Sequence, residues 1–217
     1  MVSMHLLPPV ATYAGRWLAP FFPDVLWRVE TRARVAYLTF DDGPTTELTR
    51  DLLDLLRRYD AQATFFLIGR HAKEHPRLVE AIDRAGHRIG NHSYSHPYPW
   101  STPTSRVTAE LDHTTKVLQE IIQRPIRCMR PPYGQLTPSM RQWCARHQQR
   151  MVLWDVMPGD FRRTTSADYL VRFVRRYIRP GSIIVLHDNP IVQPKTVKAL
   201  QAILRSLDAE GWRFEAL

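Results

Sequence analysis

From Arg34 to the carboxyl end, short runs of β-branched and aromatic residues alternate with longer stretches in which apolar positions recur every three or four residues. The short runs, at 35–40, 63–68, 87–90, 126–129, 151–156, 182–186 and 213–215, predict strands. The longer stretches predict helices at 47–59, 71–85, 105–122, 138–147, 167–178 and 196–209, and in the first of these Leu48, Leu52, Leu55 and Leu56 fall on one face. Such alternation marks an α/β chain whose strands are joined by crossover helices. Seven alternations could close into a barrel or lie as an open sheet, and periodicity does not choose between them. It does fix where chemistry belongs, because in either case the loops at the carboxyl ends of parallel strands converge on one face.

The polar clusters of the sequence fall at those ends. Asp41 and Asp42 follow the first strand, His92 the third, Arg130 the fourth, Asp160 the fifth and His187 the sixth. In Thr39-Phe40-Asp41-Asp42-Gly43-Pro44, two adjacent carboxylates at the end of an apolar strand would repel each other, so a cation or a shared proton is expected there. The plainer alternative, a helix cap, needs only one such residue, and Thr45 or Thr46 could supply it. In His92-Ser93-Tyr94-Ser95-His96, two imidazoles four residues apart can face one ion from successive turns. With one Asp oxygen they make a three-ligand set that leaves positions open for water and substrate. His71 and His75 have the same spacing but sit in a charged helical stretch, HAKEHP, and read as surface residues rather than ligands.

Two further segments complete the set. In Arg130-Pro131-Pro132-Tyr133-Gly134 the prolines fix the backbone direction, so the Tyr133 amide can point into the site while Arg130 reaches a carboxylate. His187, after a fully apolar strand, can act as a general acid if a carboxylate keeps it protonated; Asp160 is the candidate partner and Asp188 a competing one.

Length and composition narrow the setting. The 217 residues, 44% hydrophobic and 24% charged, suit one catalytic domain at 33–217 behind an extension at 1–32. Thirty Lys and Arg against twenty-one Asp and Glu give +9, but the arginines are dispersed in pairs, without the basic runs of a nucleic-acid binder. The two cysteines, Cys128 and Cys144, have no zinc or redox spacing and are expected to be buried thiols. Prolines at 8, 9, 20 and 23 and Arg16 interrupt the apolar amino terminus, which therefore reads neither as a signal core nor as a membrane span. Trp17, Phe21, Phe22 and Trp27 could rest on a membrane surface, but packing across the outside of the domain is the favoured expectation. Without a leader, the expected compartment is the cytoplasm. Oligomeric state has no signature in the sequence.

In order, the segments TFDDGP, HSYSH, RPPYG, the stretch around Asp160, and LHD resemble the five motifs of the polysaccharide deacetylases, carbohydrate esterase family four. The resemblance runs from about Val35 to the carboxyl terminus. It implies a distorted (β/α) barrel of about seven parallel strands in a single catalytic domain, and hydrolysis of the N-acetyl group of an amino sugar in a chitooligosaccharide or peptidoglycan-type glycan. By the same resemblance Asp41 is the general base, Asp42, His92 and His96 bind Zn²⁺ or a similar ion such as Co²⁺, Mn²⁺ or Ni²⁺, and Arg130 orients Asp41. Tyr133 offers its amide to the oxyanion, Leu186 lines the acetyl pocket, and Asp160 tunes the acid His187. The fourth motif departs from the usual pattern: Phe161 stands where the family has Trp, after Met157-Pro158-Gly159-Asp160, which alters one wall of the groove. Two other readings keep the barrel: a hydrolase of a non-sugar amide or cyclic imide, and a non-catalytic carbohydrate-binding relative. The second would be expected to have lost a ligand or the base, whereas every position here is filled.

Overall fold

A computed structural model describes residues 8–217. Helix α1 (Pro8–Leu18) and the short strand β1 (Val25–Leu26) precede β2 (Val35–Asp41), α2 (Leu48–Arg58), β3 (Ala63–Leu67), α3 (Gly69–Glu74), α4 (Pro76–Arg84), β4 (Arg88–Asn91) and α5 (Thr104–Ile122). There follow β5 (Cys128–Met129), α6 (Pro138–Arg146), β6 (Arg150–Val152), α7 (Ala167–Tyr177), β7 (Ile183–His187), α8 (Gln193–Asp208) and β8 (Arg213–Phe214).

Every residue of β2 and β3 is buried, as expected of parallel strands covered on both faces. Seven strands run parallel in the order β1-β6-β5-β4-β3-β2-β7, and β8 pairs with the start of β2. Bridges between Arg28 and Ser182 and between Val156 and Ile184 join the two edges, curling the sheet into the expected distorted barrel. The helices lay their apolar stripes on its outside: Leu48, Leu52, Leu55 and Leu56 of α2 and Leu170, Phe173 and Val174 of α7 are buried with Phe40 and Phe65 in the largest core cluster. Full burial of each such side chain contributes about 1.5–3 kcal/mol. Because the strands are parallel, Asp41, Asn91, Met129 and His187 all end at the same face.

Three differences from the expected elements have physical reasons. The helix expected at 71–85 is two helices meeting at His75, because Pro76 has no N–H to continue a helix and pushes the preceding residue away from helical angles; His75 has φ −128° and ψ 55°. The strand expected at 151–156 is regular only as far as Val152 before it leaves β5, and touches β7 again at Val156. Before residue 33 the chain forms α1 and β1. One side of α1 is seated by Thr12, whose hydroxyl accepts the Met157 amide at 3.2 Å, and by Gly15, where an added Cβ would meet the Trp154 carbonyl at 2.8 Å. Of the four aromatics expected to pack, Trp27 is buried and Phe22 packs against a core cluster, but Trp17 and Phe21 are each 76% exposed. Residues 1–7 of the extension lie outside the described residues.

Cys128 and Cys144 are free and buried, as expected, and burial pushes their thiols up to about 11 and about 12. Among the described residues no helix is long and apolar enough to cross a membrane.

Gly90 of β4 couples this core to the polar face. A Cβ there would lie 2.5 Å from the Phe66 ring and 3.0 Å from Cys128 Sγ, and Phe66 itself lies under the Arg130 guanidinium at 4.2 Å. Gly90→Ala is expected to destabilise the fold by about 1–3 kcal/mol, seen as a lower midpoint in thermal or urea unfolding.

Candidate active site

Asp41 is the last residue of β2, and the chain turns sharply after it: Asp42 has φ 78°, left-handed backbone that Asp tolerates better than most residues. The two carboxylates diverge. Asp41 turns inward and accepts from Arg130 Nη1 at 2.7 Å. Asp42 faces the open side, where Asn189 Nδ2 donates to its Oδ2 at 3.0 Å. Gly43 leaves room for Asp188, since a Cβ would sit 2.3 Å from an Asp188 oxygen. Asp188 is not the partner of His187. It accepts from Thr45 Oγ1 at 2.7 Å and Thr49 Oγ1 at 2.5 Å, and burial pushes its carboxyl up to about 6.

Arg130 follows β5 and is completely buried. A charge there needs every partner it can find. Besides Asp41, Nη1 donates to Thr39 Oγ1 at 2.7 Å, Nε to the Val152 carbonyl at 3.3 Å and Nη2 to the Leu153 carbonyl at 3.0 Å. The Arg130 carbonyl in turn accepts from His92 Nδ1 at 2.8 Å. That bond puts the proton on Nδ1 and leaves Nε2 with a lone pair facing the carboxylates.

His92 and His96 meet through a loop rather than through successive helical turns. Ser93 and His96 both have positive φ, at 64° and 58°. The loop is held by α5: Glu110 accepts from the amides of Tyr94 and Ser95 at 3.1 and 2.6 Å and from Ser95 Oγ at 2.7 Å. Asn91 accepts the Ser93 amide at 2.8 Å and donates to the Leu111 carbonyl at 2.8 Å. The result places His92 Nε2 3.6 Å and His96 Nε2 3.5 Å from the same Asp42 oxygen, and one donor atom from each of the three lies within 4.8 Å of the others. Burial, together with the neighbouring His92, lowers the His96 imidazole to about 3, although Asp42 pulls the other way. Burial disfavours the ionised Asp42, but His187, His92 and His96 and the Asn189 donor outweigh it and hold the carboxyl below its ordinary value. A neutral imidazole beside an ionised carboxylate is the protonation pattern of a ligand set, not of an ion pair. The residues present therefore fit a divalent metal.

On the opposite wall, His187 ends β7. Its Nδ1 donates to Asp160 Oδ1 at 2.8 Å and its amide to Asp160 Oδ2 at 2.7 Å, and Thr196 Oγ1 donates to the same carboxylate at 3.1 Å. Burial disfavours the imidazolium, yet Asp160, with Asp42 and Asp41 behind it, pushes His187 up to about 9. The Phe161 ring stands edge-on to the His187 ring, centroids 5.2 Å apart. Leu186, one residue earlier, is fully buried in the main core. Tyr133 has φ 58° in the turn after Arg130; Gly134 N and Gln135 N close that turn on the Pro131 and Pro132 carbonyls, and the Tyr133 ring lies 4.4 Å from that of His96.

Every candidate site residue named from the sequence thus lies in or beside one cluster. Four supporting residues were not assigned a part there: His71, Asn91, Glu110 and Asn189. His71 in particular is not a surface residue. It is half-buried and donates from Nδ1 to the Asp42 carbonyl at 2.9 Å, so it steadies a ligand through its backbone; His75, also half-buried, joins no ligand cluster among the described residues. The only signal for His71 was its spacing, and the charged neighbours argued against it. Glu110, in mid-helix four residues from Arg106, resembles an ordinary surface pair.

Residues 28–152 match the family model described as polysaccharide deacetylase. A peptidoglycan-N-acetylglucosamine deacetylase of Bacillus cereus is 35% identical over 187 residues, 86% of this chain and 67% of that protein. A chitooligosaccharide deacetylase of Azorhizobium caulinodans is 32% identical over 202 residues, 88% of this chain and 96% of that protein. Among solved structures, a peptidoglycan N-acetylglucosamine deacetylase in complex with 4-naphthalen-1-yl-N-oxidanyl-benzamide superposes with a TM-score of 0.86 at 31% identity, covering 93% of this chain and 94% of that one.

If His71 fixes the ligand turn, His71→Ala should weaken Zn²⁺ binding about tenfold, measured by competition with a chromophoric chelator. An unchanged affinity would reduce His71 to a space-filling residue.

Proposed function

The chain belongs to the polysaccharide deacetylase family, and from that premise we propose that it hydrolyses the N-acetyl group of an N-acetylglucosamine unit in a peptidoglycan- or chitooligosaccharide-type glycan, with a divalent ion, Zn²⁺ in the first place, held by Asp42, His92 and His96. The observation that carries this reading is the placement of two proton-handling groups on either side of one ligand set: Asp41 under Arg130 at 2.7 Å, and His187 under Asp160 at 2.8 Å. The substrate class follows the names of the two relatives above, which share about a third of their residues with this chain.

A metal in this cradle supplies Lewis acidity toward an amide carbonyl and toward water. The rest belongs to the chain. Asp41 is the general base: Oδ1 is taken up by Arg130, so Oδ2, which lies 4.0 Å from His92 Nε2, is the atom that accepts the water's proton. Arg130 holds that carboxylate in one orientation and balances its charge inside the barrel. The Tyr133 amide, fixed by the strained turn after two prolines, donates to the oxyanion as the carbonyl carbon becomes tetrahedral. His187 binds Asp160 through Nδ1, which leaves Nε2 to protonate the departing sugar amine. Phe161, edge-on to His187, supplies an apolar wall for the acetyl methyl, and Leu186 is buried in the core one residue before that histidine. The products are acetate and a free amino sugar. Residues 33–217 form the catalytic unit in this reading.

Asp41→Asn keeps the ligand set and the hydrogen-bonding shape but removes the base, so metal binding should persist while acetate release from N-acetylated chitooligosaccharides falls by about two to four orders of magnitude. Near-normal release by that variant would remove Asp41 from its role. His187 acts in its protonated form, so activity should be lost as pH rises through about 9. Asp160→Asn takes away the carboxylate that raises His187, and the alkaline limb of the kcat profile should move to lower pH. An alkaline limb that stays in place would assign it to another group.

A further inference from the structure

Helix α1 is built inside out. Pro8, Thr12 and Gly15, which share one side of it, are buried, whereas Val10 and Trp17 on the opposite side, with Leu18 at its edge, are exposed. Phe21 extends this outward stripe in the short helical turn Ala19–Phe21 that follows. A surface helix ordinarily does the reverse, with its large apolar residues on the core. Here the reversal is locked by close packing. The Met157 amide donates to Thr12 Oγ1, a Cβ at Gly15 would meet the Trp154 carbonyl at 2.8 Å, and a Cβ at Gly159 would meet Pro8 Cγ at 2.7 Å. Arg16, on the flank of the helix, donates from Nη2 to the Tyr177 carbonyl at 2.7 Å and lies 3.8 Å from Asp155. No ring can turn inward where backbone approaches so closely, so the stripe of Val10, Trp17, Leu18 and Phe21 stays outside. A contiguous apolar stripe held outward marks an interaction surface.

The surroundings of the stripe say what covers it. No Asp or Glu occurs before Asp24, and Asp24 is taken up by Arg141 through both oxygens at 2.7 Å. The chain that α1 packs on is strongly basic: residues 156–180 hold six arginines against Asp160 and Asp168, and Asp160 is fully buried. Arg162 begins beside Pro8, its Cδ 3.4 Å from the same point above Gly159, while α7 ends in Arg175 and Arg176 next to the Tyr177 that Arg16 binds. Arg163, Arg172 and Arg176 are exposed. An uncharged stripe of Trp, Phe, Leu and Val bordered by cations complements a bilayer surface, with the rings at the acyl boundary and the arginines at phosphate groups. A second copy docked on the same face would instead bring the two sets of arginines together. Among the described residues no helix is long and apolar enough to cross a membrane, so α1 would lie on the surface.

We infer that the outward face of α1 and the turn after it dock the protein on an anionic phospholipid surface, with Trp17 and Phe21 as the inserting side chains and the neighbouring arginines as the electrostatic contact. This surface is separate from the ligand set and does not depend on which reaction the site performs.

The test uses the full chain with vesicles of pure phosphatidylcholine or of equal parts phosphatidylcholine and phosphatidylglycerol. Sedimentation should show binding to the anionic vesicles about tenfold or more tighter than to the neutral ones, weakening as salt is added. Trp17→Ser combined with Phe21→Ser should lower the affinity for anionic vesicles by about tenfold or more, while the unfolding midpoint stays in place because both side chains are exposed. Trp17→Phe keeps an apolar ring, so it should still bind but lose the fluorescence quenching that brominated lipid produces in the parent. An affinity of the double variant within twofold of the parent, equal binding to both vesicles, or quenching that survives Trp17→Phe would overturn the inference. So would a chain that binds neither vesicle and forms a dimer, seen by ultracentrifugation, that the double variant dissolves; the face would then belong to a second copy.

Discussion

The guanidinium of Arg130 sits in the barrel with no exposed surface, and four of its N–H···O contacts reach two different strands: Thr39 and Asp41 of β2, Val152 of β6, and Leu153 just beyond it. Phe66 of β3 lies 4.2 Å from it and the Trp154 ring 5.6 Å. Removing one partner from such a group leaves a buried charge uncompensated, which typically costs about 3–5 kcal/mol. Packing and chemistry therefore meet in one side chain. The strands must keep their spacing for Arg130 to be satisfied, and Arg130 must be satisfied for Asp41 to hold one orientation. Its own carbonyl extends the chain of dependence to His92.

Around that fixed point the loops are strained. Asp42, Ser93, His96 and Tyr133 all carry positive φ without being glycine, each at a cost of order 1–3 kcal/mol. Three of the four lie in loops that the surrounding polar network over-determines: His71 and Asn189 hold Asp42, while Asn91 and Glu110 hold the loop carrying the two histidines. Strain at four positions in loops leading to one cluster is consistent with a site assembled for geometry rather than for stability.

Much of this was legible in the sequence because strand ends are legible. Asp41, Asp42, His92, Arg130 and His187 follow apolar runs directly, and parallel topology sends all those ends to one face. Barrel closure was not readable from periodicity and came from the family resemblance, since it rests on single bridges outside the regular strands. Glu110 and Asn91 escaped notice and His71 was read as a surface residue because the bonds that tie them to the site run largely to backbone atoms, and such bonds leave no spacing pattern. Asp160 was the candidate partner of His187 and Asp188 a competing one, and the fold shows why Asp188 does not compete: Thr45 and Thr49 have already claimed it. The break at Pro76 was visible in the sequence, yet the apolar pattern runs across it and reads as one helix.

The two edges of the sheet meet between β7 and the chain leaving β1 and β6, where isolated bridges, Arg28–Ser182 and Val156–Ile184, take the place of a regular ladder. Asp160 stands on one side of it and His187 on the other, joined by both a side-chain and a main-chain hydrogen bond. The acid pair is thus also a fastener for the cylinder. The catalytic proton sits on Nε2, so its loss leaves both bonds in place, and one imidazole ring divides its two nitrogens between the chemistry of the site and the integrity of its wall.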